Sequence, residues 1–444
     1  MDTAGFENKN VIVLGYGRSG RSAVSALASL GANITLTTNE VIADEKIRQT
    51  LKGWGVEIVD GHHPASLLND AELIVKNPGI PYTIPFLEDA ETRGIPVITD
   101  VELAYHMSPA PIIGITGTNG KTTVTHLIGE MLERSGLSPI LCGNIGYPAS
   151  EAVREATAED ILVMELSSFQ LMGIRDFCPD TAVFTNIYEA HIDYHGSKEA
   201  YVQAKMNLIS NMDAAQTVIF NGRQKEMLDG HPGLHVEYFS AEGDHEACIK
   251  DGVIVHKGTP LIPLDQVKLQ GAHNHENILA AILAAKNHGA SDAGIRETLL
   301  HFGSIPHRME YLGEHRGAAY YNDSKATNNL ATTFALESFQ APVIWIAGGL
   351  DRGQSLDGLI PSMDSVAMII TFGKTKEKFQ ALAERTGKAV ELAEHPHDAV
   401  IKAAQYAEAG DVVLFSPACA SWDQYKDYEA RGDHFKEGFS TLGK

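Results

Sequence analysis

The stretch Gly117-Thr118-Asn119-Gly120-Lys121-Thr122-Thr123 sets two glycines, a lysine and two adjacent hydroxyls between an apolar run and a helix-like run. Glycines let backbone N–H groups approach phosphate oxygens, and a helix N-terminus adds partial positive charge. The lysine supplies a charge for β- and γ-phosphates, and the hydroxyl of Thr122 is placed for Mg2+. Ile115 stands where the strict G-x-x-x-x-G-K-[ST] pattern has glycine, so this is a variant phosphate loop. A second glycine loop, Gly15-Tyr16-Gly17-Arg18-Ser19-Gly20, follows the apolar run "VIVL" near the N-terminus. That spacing is the dinucleotide fingerprint, which needs an acid at the end of the next strand to hold the ribose. Here the next strand ends Leu36-Thr37-Thr38-Asn39, so a diphosphate-bearing ligand other than NAD is expected.

Further polar groups fall at expected strand ends. "ILVMELSSFQL" brings Glu165 to the end of a buried-type strand, a place suited to Mg2+. "TNIYEAHIDYHGSKEAYVQAKMNLI" holds His191, Asp193, His195 and Lys205. His191 and His195 have the spacing of a zinc pair, but neither H-E-x-x-H nor a cysteine accompanies them, so zinc is not expected. Asp193 and His195 read as solvated or capping residues, and by spacing alone Lys205 reads as a surface lysine. A third cluster comprises Arg308 in "PHRMEYL", Asp323, Ser324, Lys325 and Thr327 in "YNDSKATN", Arg352 in "AGGLDRG", and Ser421 and Tyr428 in "SPACASWDQYKDYEARG". Together these suggest a nucleotide and a small anionic substrate at the carboxyl ends of parallel strands.

The elements that must position these groups alternate between strand and helix patterns. Strand-like runs at 11–15, 34–38, 56–61, 72–79 and 95–99 enclose helical stretches, the βαβ signature of a parallel sheet. A linker at 106–114 opens a second series, expected to close with two amphipathic helices at 274–289 and 292–303. A third series follows "SIPHRMEYLG", with helices near 374–387 and 397–409. The expected class is α/β with three domains.

At 444 residues, the length suits two to four domains of about 100–200 residues. The net charge of −22 argues against nucleic-acid or anionic-membrane partners, and it requires any anionic ligand to find a locally basic site. No apolar run approaches a membrane span and the N-terminus lacks a signal-peptide pattern, so a cytoplasmic protein is expected. Cys142, Cys178, Cys248 and Cys419 form no C-x-x-C pair and read as buried free thiols.

Taken together, "GITGTNGKTT", "GNIG", "ELSSFQL", "NIYEAHIDYHGS", "AKMN", "GAHNHENILAA", "PHRME", "NDSKATN" and "SPACASWDQYKDYEARG" resemble the Mur ligases over essentially the whole chain. "NDSKATN" and "SPACAS" resemble the branch that adds D-glutamate. The resemblance implies a Rossmann-like UDP-sugar domain at 1–101, a central P-loop ATPase-type domain at 102–306 and a Rossmann-like amino-acid domain at 307–444. It implies that ATP phosphorylates UDP-MurNAc-L-Ala and that D-glutamate attacks the acyl phosphate; a monomer is expected. UDP-sugar contacts would come from Gly15, Gly17, Arg18, Ser19, Thr37, Asn77 and Asn144. ATP would meet Gly117 to Thr123 (Gly117, Thr118, Asn119, Gly120, Lys121, Thr122, Thr123), Asn277, Arg308 and Asp323. D-glutamate would meet Lys325, Thr327, Arg352, Ser421 and Tyr428. Two Mg2+ ions would be held by Thr122, Glu165, His191 and Lys205, the last carrying a CO2-derived carbamate. Lys121, His191 and Lys205 would be catalytic. Reaction with CO2 needs a neutral amine, so a lowered Lys205 pKa is expected.

Overall fold

Alternating strands and helices close into three separate sheets in a computed structural model that describes residues 5–188, 192–269, 271–303, 306–337, 339 and 341–443. The first sheet orders its strands Glu57–Asp60, Asn33–Thr38, Asn10–Leu14, Leu73–Lys76 and Val97–Ile98, all parallel. Its strand order reverses between Asn10–Leu14 and Leu73–Lys76. The crevice at their carboxyl ends therefore holds both Gly15 and Asn77.

The second sheet has Ile112–Thr116 at its heart, flanked by Asp160–Glu165 and Thr181–Phe184. All five residues of Ile112–Thr116 are buried, as expected for a parallel strand covered by helices on both faces. Beyond Thr217–Asn221 and His235–Ser240 the sheet ends in an antiparallel meander, Ala247–Lys250, Val253–His256 and Thr259–Pro263. This meander is absent from the sequence-based reading. The spacing at 274–289 predicts an amphipathic helix, yet in the helix Ala272–Asn287 every residue from Ile278 to Ala285 is fully buried. It packs against the helix Lys121–Glu133 on one side and the central strands on another, so it needs apolar residues all round. The second helix of that pair, Asp292–His301, keeps one buried face, as expected.

The third sheet runs Glu310–His315, Ala318–Asn322, Val412–Phe415, Val343–Gly348, Val366–Phe372 and Ala389–Leu392. Only its first strand is antiparallel to its neighbour. The order reverses between Val343–Gly348 and Val412–Phe415, so the loops after those two strands face one crevice.

Residues 1–302 form one compact unit holding two sheets, and residues 303–444 form another. The first two sheets are bonded together by polar contacts as well as packing. Glu102 on the linking helix Asp100–Met107 accepts the N–H groups of Arg175, Asp176 and Phe177 at 2.8–3.1 Å. Ser22 and Ser150 share a buried hydrogen bond of 2.7 Å. Cys142, Cys248 and Cys419 are buried free thiols, whereas Cys178 is half-buried. Among the described residues, no helix is long and apolar enough to cross a membrane.

Candidate active site

The phosphate loop is the turn between Ile112–Thr116 and the helix Lys121–Glu133. Gly117 has φ of 145° and Gly120 of 81°, backbone that side chains rarely adopt. A Cβ on Gly117 would lie 1.9 Å from Thr185 Oγ1, and one on Gly120 would lie 2.1 Å from Asn277 Oδ1. The loop is shaped by the segment after Thr181–Phe184. Thr118 N–H donates to the Asn186 carbonyl at 2.8 Å, and Asn119 N–H to Asn186 Oδ1 at 2.9 Å. Thr185 Oγ1 donates to the Asn119 carbonyl at 2.5 Å. Thr118 Oγ1 also shares a hydrogen bond with Tyr201 Oη at 3.0 Å. Thr122 is buried and Thr123 half-buried on the first helical turn.

Lys121 Nζ donates to the carbonyls of Gly117 and Thr118, each at 2.9 Å. Lys205 is 2% exposed, so the surface position read from its spacing is wrong. It follows Tyr201 by one helical turn on Lys198–Met206, and this face of the helix turns inward under the loop. Its Nζ donates to the Gly117 carbonyl at 2.7 Å and to Thr116 Oγ1 at 3.4 Å, and lies 4.9 Å from the centre of the Tyr201 ring. Burial, reinforced by the Lys121 charge, holds this amine well below the usual lysine range, against an opposing pull from Glu165. The expected lowering is present.

Glu165 ends its strand 2% exposed, and Asn144 Nδ2 donates to its Oε1 at 2.8 Å. The Asn144 N–H also meets the Glu165 carbonyl at 2.8 Å. Asn144 therefore orients the carboxylate, a role that "GNIG" alone does not reveal. Hydroxyl and carboxylate oxygens, Thr122 and Glu165, are the hard donors Mg2+ takes, so this pair fits that ion. His191 lies outside the described residues. His195 is half-buried rather than solvated. Its Nε2 shares a hydrogen bond with Ser168 Oγ at 3.0 Å, and its ring stacks on Phe169 with centroids 5.4 Å apart. Among the described residues, one His/Cys/Asp/Glu grouping has ligand-like spacing: Glu102, His106 and Asp176. Its Glu102 oxygens already cap the 175–177 turn.

In the first sheet's crevice, Gly17 lies against Asn77, whose Nδ2 a Cβ on Gly17 would approach to 2.4 Å. Gly15, with φ of 91°, lies against Asn77 Cβ and Ile80. Arg18 opens the helix Arg18–Ser29, with Ser19 half-buried behind it, and donates to the Gly146 carbonyl. Thr37 is fully buried, its hydroxyl bonded to the His62 carbonyl at 3.1 Å and to His63 Nδ1 at 2.8 Å. Thus His63, rather than the Thr37 hydroxyl, is the half-buried group there.

In the second unit, His307 and Met309 adopt positive φ of 63° and 44°, a turn that sets half-buried Arg308 beside Asp323. Met309 N–H donates to Asp323 Oδ1 at 3.2 Å and Ser416 Oγ to its Oδ2 at 2.9 Å. Burial nevertheless pushes the Asp323 carboxyl up to about 7. Lys325 Nζ lies 5.7 Å from the centre of the Tyr428 ring, while Thr327 is half-buried and Ser421 is 2% exposed. Arg352 is exposed on the loop after Val343–Gly348.

Arg431 is absent from the sequence-based candidates. It is fully buried, donating from Nη2 to the Ser324 carbonyl at 2.7 Å and from Nη1 to the Cys419 carbonyl at 2.8 Å. It thereby ties the Asp323–Thr327 loop to the Ser421 loop. Its helical spacing with Phe435 and Gly438, both buried, is the signal that could have found it.

Three stretches match described domains in chain order. Residues 9–99 match the Mur ligase MurD-like N-terminal domain, 115–285 the Mur ligase middle domain, and 307–419 the Mur ligase glutamate ligase domain. A UDP-N-acetylmuramoylalanine–D-glutamate ligase of Staphylococcus carnosus is 49% identical over 438 residues, covering 98% of this chain and 97% of that protein. The ligase of the same name from Staphylococcus saprophyticus is 48% identical, with 98% of each covered. Among solved structures, the UDP-N-acetylmuramate–alanine ligase of Thermotoga maritima superposes with a TM-score of 0.55 at 19% identity, covering 98% of this chain and 99% of that one. A MurF ligase of Thermotoga maritima in complex with ADP gives 0.55 at 16% identity, covering 99% and 96%. These two structures show the fold alone. With relatives of near 50% identity along its whole length, and each of its sheets falling within one of the three matched domains or its margins, the chain belongs to the Mur ligase family.

Proposed function

We propose that this chain is an ATP-dependent ligase joining D-glutamate to UDP-N-acetylmuramoyl-L-alanine in peptidoglycan precursor synthesis. The observation that carries the reading is the 49% identity across nearly the full length to a ligase named for that reaction. In the reaction, the terminal alanine carboxylate attacks the γ-phosphorus of ATP, and ADP departs. The D-glutamate amine then attacks the acyl phosphate carbonyl, and the tetrahedral intermediate expels phosphate as the amine loses a proton. The chain supplies positioning and fixed charge for both steps.

Gly117 to Thr123, Lys121 and Asn277 are assigned to ATP in the first unit, and Arg308 and Asp323 in the second. The glycine crevice with Arg18, Ser19 and Asn77 takes the UDP diphosphate, and Thr37 and Asn144 are assigned to the same UDP-sugar. Lys325, Thr327, Arg352, Ser421 and Tyr428 take D-glutamate. The three substrates are assigned to domains at 1–101, 102–306 and 307–444 of a cytoplasmic monomer that has no nucleic-acid or membrane partner.

Thr122, Glu165, His191 and Lys205 are assigned to two Mg2+ ions. When bound, Mg2+ supplies neutralisation of phosphate charge. Lys205 first reacts with CO2: its neutral amine forms an N–C bond to the carbon and loses a proton, leaving an anionic carbamate. The support for this step is the buried amine beside Lys121.

The test incubates the protein with UDP-MurNAc-L-Ala, ATP and Mg2+, adding D-glutamate, L-glutamate or meso-diaminopimelate separately. Product mass and phosphate release are followed together. A new amide with D-glutamate alone is expected. Amide with another amino acid, or phosphate release without amide, overturns the reading.

A further inference from the structure

Two cations assigned above to the acidic amino acid each lie over an aromatic ring, and both rings belong to the segment 421–428. Lys325 faces Tyr428. Arg352 is closer to its partner: its Cζ lies 4.5 Å from the centre of the Trp422 indole. Trp422 is 64% exposed, although its chain neighbours Ala420 and Ser421 are 3% and 2% exposed. The indole therefore adds little to the core, and Arg352 is the cation it engages.

The backbone around this pair is fixed. Leu350 N–H donates to the Ala420 carbonyl at 2.9 Å, an isolated antiparallel bridge that ties the two loops. Gly349 permits the approach, since a Cβ there would lie 2.3 Å from the Ala420 carbonyl oxygen. Asp351, the nearest acid in sequence, is taken by Lys378 at 2.7 Å and by the Gly353 N–H at 2.8 Å. Among the described residues, the Arg352 guanidinium forms no ion pair. A guanidinium over an indole ring is attracted to it without using its N–H donors, which remain for the bidentate pairing that carboxylates accept. Fixing the fork beforehand also lowers the ordering cost of binding.

We infer that Trp422 is a positioning residue, holding the Arg352 guanidinium over its indole so that the N–H donors stay available to one carboxylate of the acidic amino-acid substrate. This inference rests on the amino-acid site proposed above. Lys325 on Tyr428 is then the second cation for a substrate with two carboxylates.

The test compares the native chain with Trp422→Leu, Trp422→Phe, Arg352→Ala and the double variant that combines Trp422→Leu with Arg352→Ala, varying each substrate in turn. Trp422→Leu is expected to raise KM for D-glutamate about three- to tenfold, with kcat and the KM values for ATP and UDP-MurNAc-L-Ala within about twofold. Trp422→Phe is expected to recover most of the loss. Arg352→Ala is expected to cost less in the Trp422→Leu background than in the native one, the mark of coupled residues. An unchanged KM for D-glutamate, a rise in all three KM values together, or strictly additive effects overturns the role of Trp422. If the native chain forms no amide from D-glutamate, the functional reading itself fails and this inference falls with it. If the native chain is active and Trp422→Leu is silent, only the inference falls.

Discussion

Lys121 and Lys205 donate to one acceptor, the carbonyl oxygen of Gly117, at 2.9 and 2.7 Å. Two ammonium groups on one oxygen repel each other, and the buried one is the easier to neutralise. Lys205 is that group, since burial and the Lys121 charge both disfavour its cation. A neutral amine is the form that reacts with CO2. With isotopically labelled bicarbonate, the native chain is expected to show a carbamate resonance by NMR, and Lys205→Met is expected to lack it. That variant keeps an unbranched side chain one atom shorter, so its melting midpoint should change little while amide formation falls on the order of a hundredfold or more. A native spectrum without the resonance, together with an active methionine variant, would sink the assignment.

Gly117 and Gly120 offer a contrast. Both have positive φ, but their obstacles differ. A Cβ at 117 meets Thr185 Oγ1 at 1.9 Å and the Asn186 backbone oxygen at 3.0 Å, neither easily moved. A Cβ at 120 meets the end of the Asn277 side chain, which can swing aside. Gly117→Ala should therefore cost about 2–3 kcal/mol in a denaturant titration, and Gly120→Ala about 1 kcal/mol. Both should raise the KM for ATP. Equal stabilities for the two variants would contradict this account.

The phosphate loop is legible in the sequence because its chemistry is local: strand, glycines, lysine and helix are contiguous. The crevice holding Gly15 is legible for the same reason. Lys205 is legible only through the family resemblance and not from its own spacing, because its hydrogen-bond partners Gly117 and Thr116 lie far away in the chain, and helical spacing alone leaves its inward face ambiguous. Arg431 is hidden likewise, since its acceptors at Ser324 and Cys419 lie on other loops. The sequence points Asn144 to the UDP-sugar alone, and its hold on Glu165 emerges from the pairing of neighbouring strands. The burial of Ala272–Asn287 depends on how many layers cover it, which periodicity along one helix does not encode.

Asp323 makes the stability of the second unit pH-dependent. Its folded carboxyl is pushed up to about 7, above the ordinary value of 3.8. The folded chain thus holds this proton more tightly than the unfolded one. The associated stabilisation is complete below the unfolded pKa and is lost as pH rises toward about 7. Asp323→Asn removes the titration while keeping an acceptor for Met309 N–H. The melting midpoint of the native second unit should fall between pH 5 and about 8, and the variant's should fall less. Parallel profiles would exclude this site as the source.

Lys76 gives the opposite sign. It is 1% exposed at the end of Leu73–Lys76, beside Asn77, and its Nζ donates to the Pro78 carbonyl at 3.1 Å. The amine lies 4.3 Å from the centre of the Tyr82 ring, and burial lowers its pKa to about 7. The unfolded chain, with an ordinary lysine near 10.5, binds this proton more readily across that window. Stability from this group should therefore rise as pH climbs from about 7 toward 10, and be absent below. Lys76→Met removes the buried charge and retains the packing under Tyr82. It is expected to raise the first unit's melting midpoint at pH 6 and to narrow or reverse that gain at pH 9. The gain at pH 6 should amount to a few kcal/mol at most (about 1.4 per pKa unit), reduced by the lost hydrogen bond to Pro78. Tyr194 Oη, which bonds the Pro78 and Ile80 carbonyls at 3.4 and 3.1 Å, keeps the loop in place in the variant. A variant less stable at pH 6 than at pH 9, relative to the native chain, would mean that Lys76 is charged and satisfied where it lies.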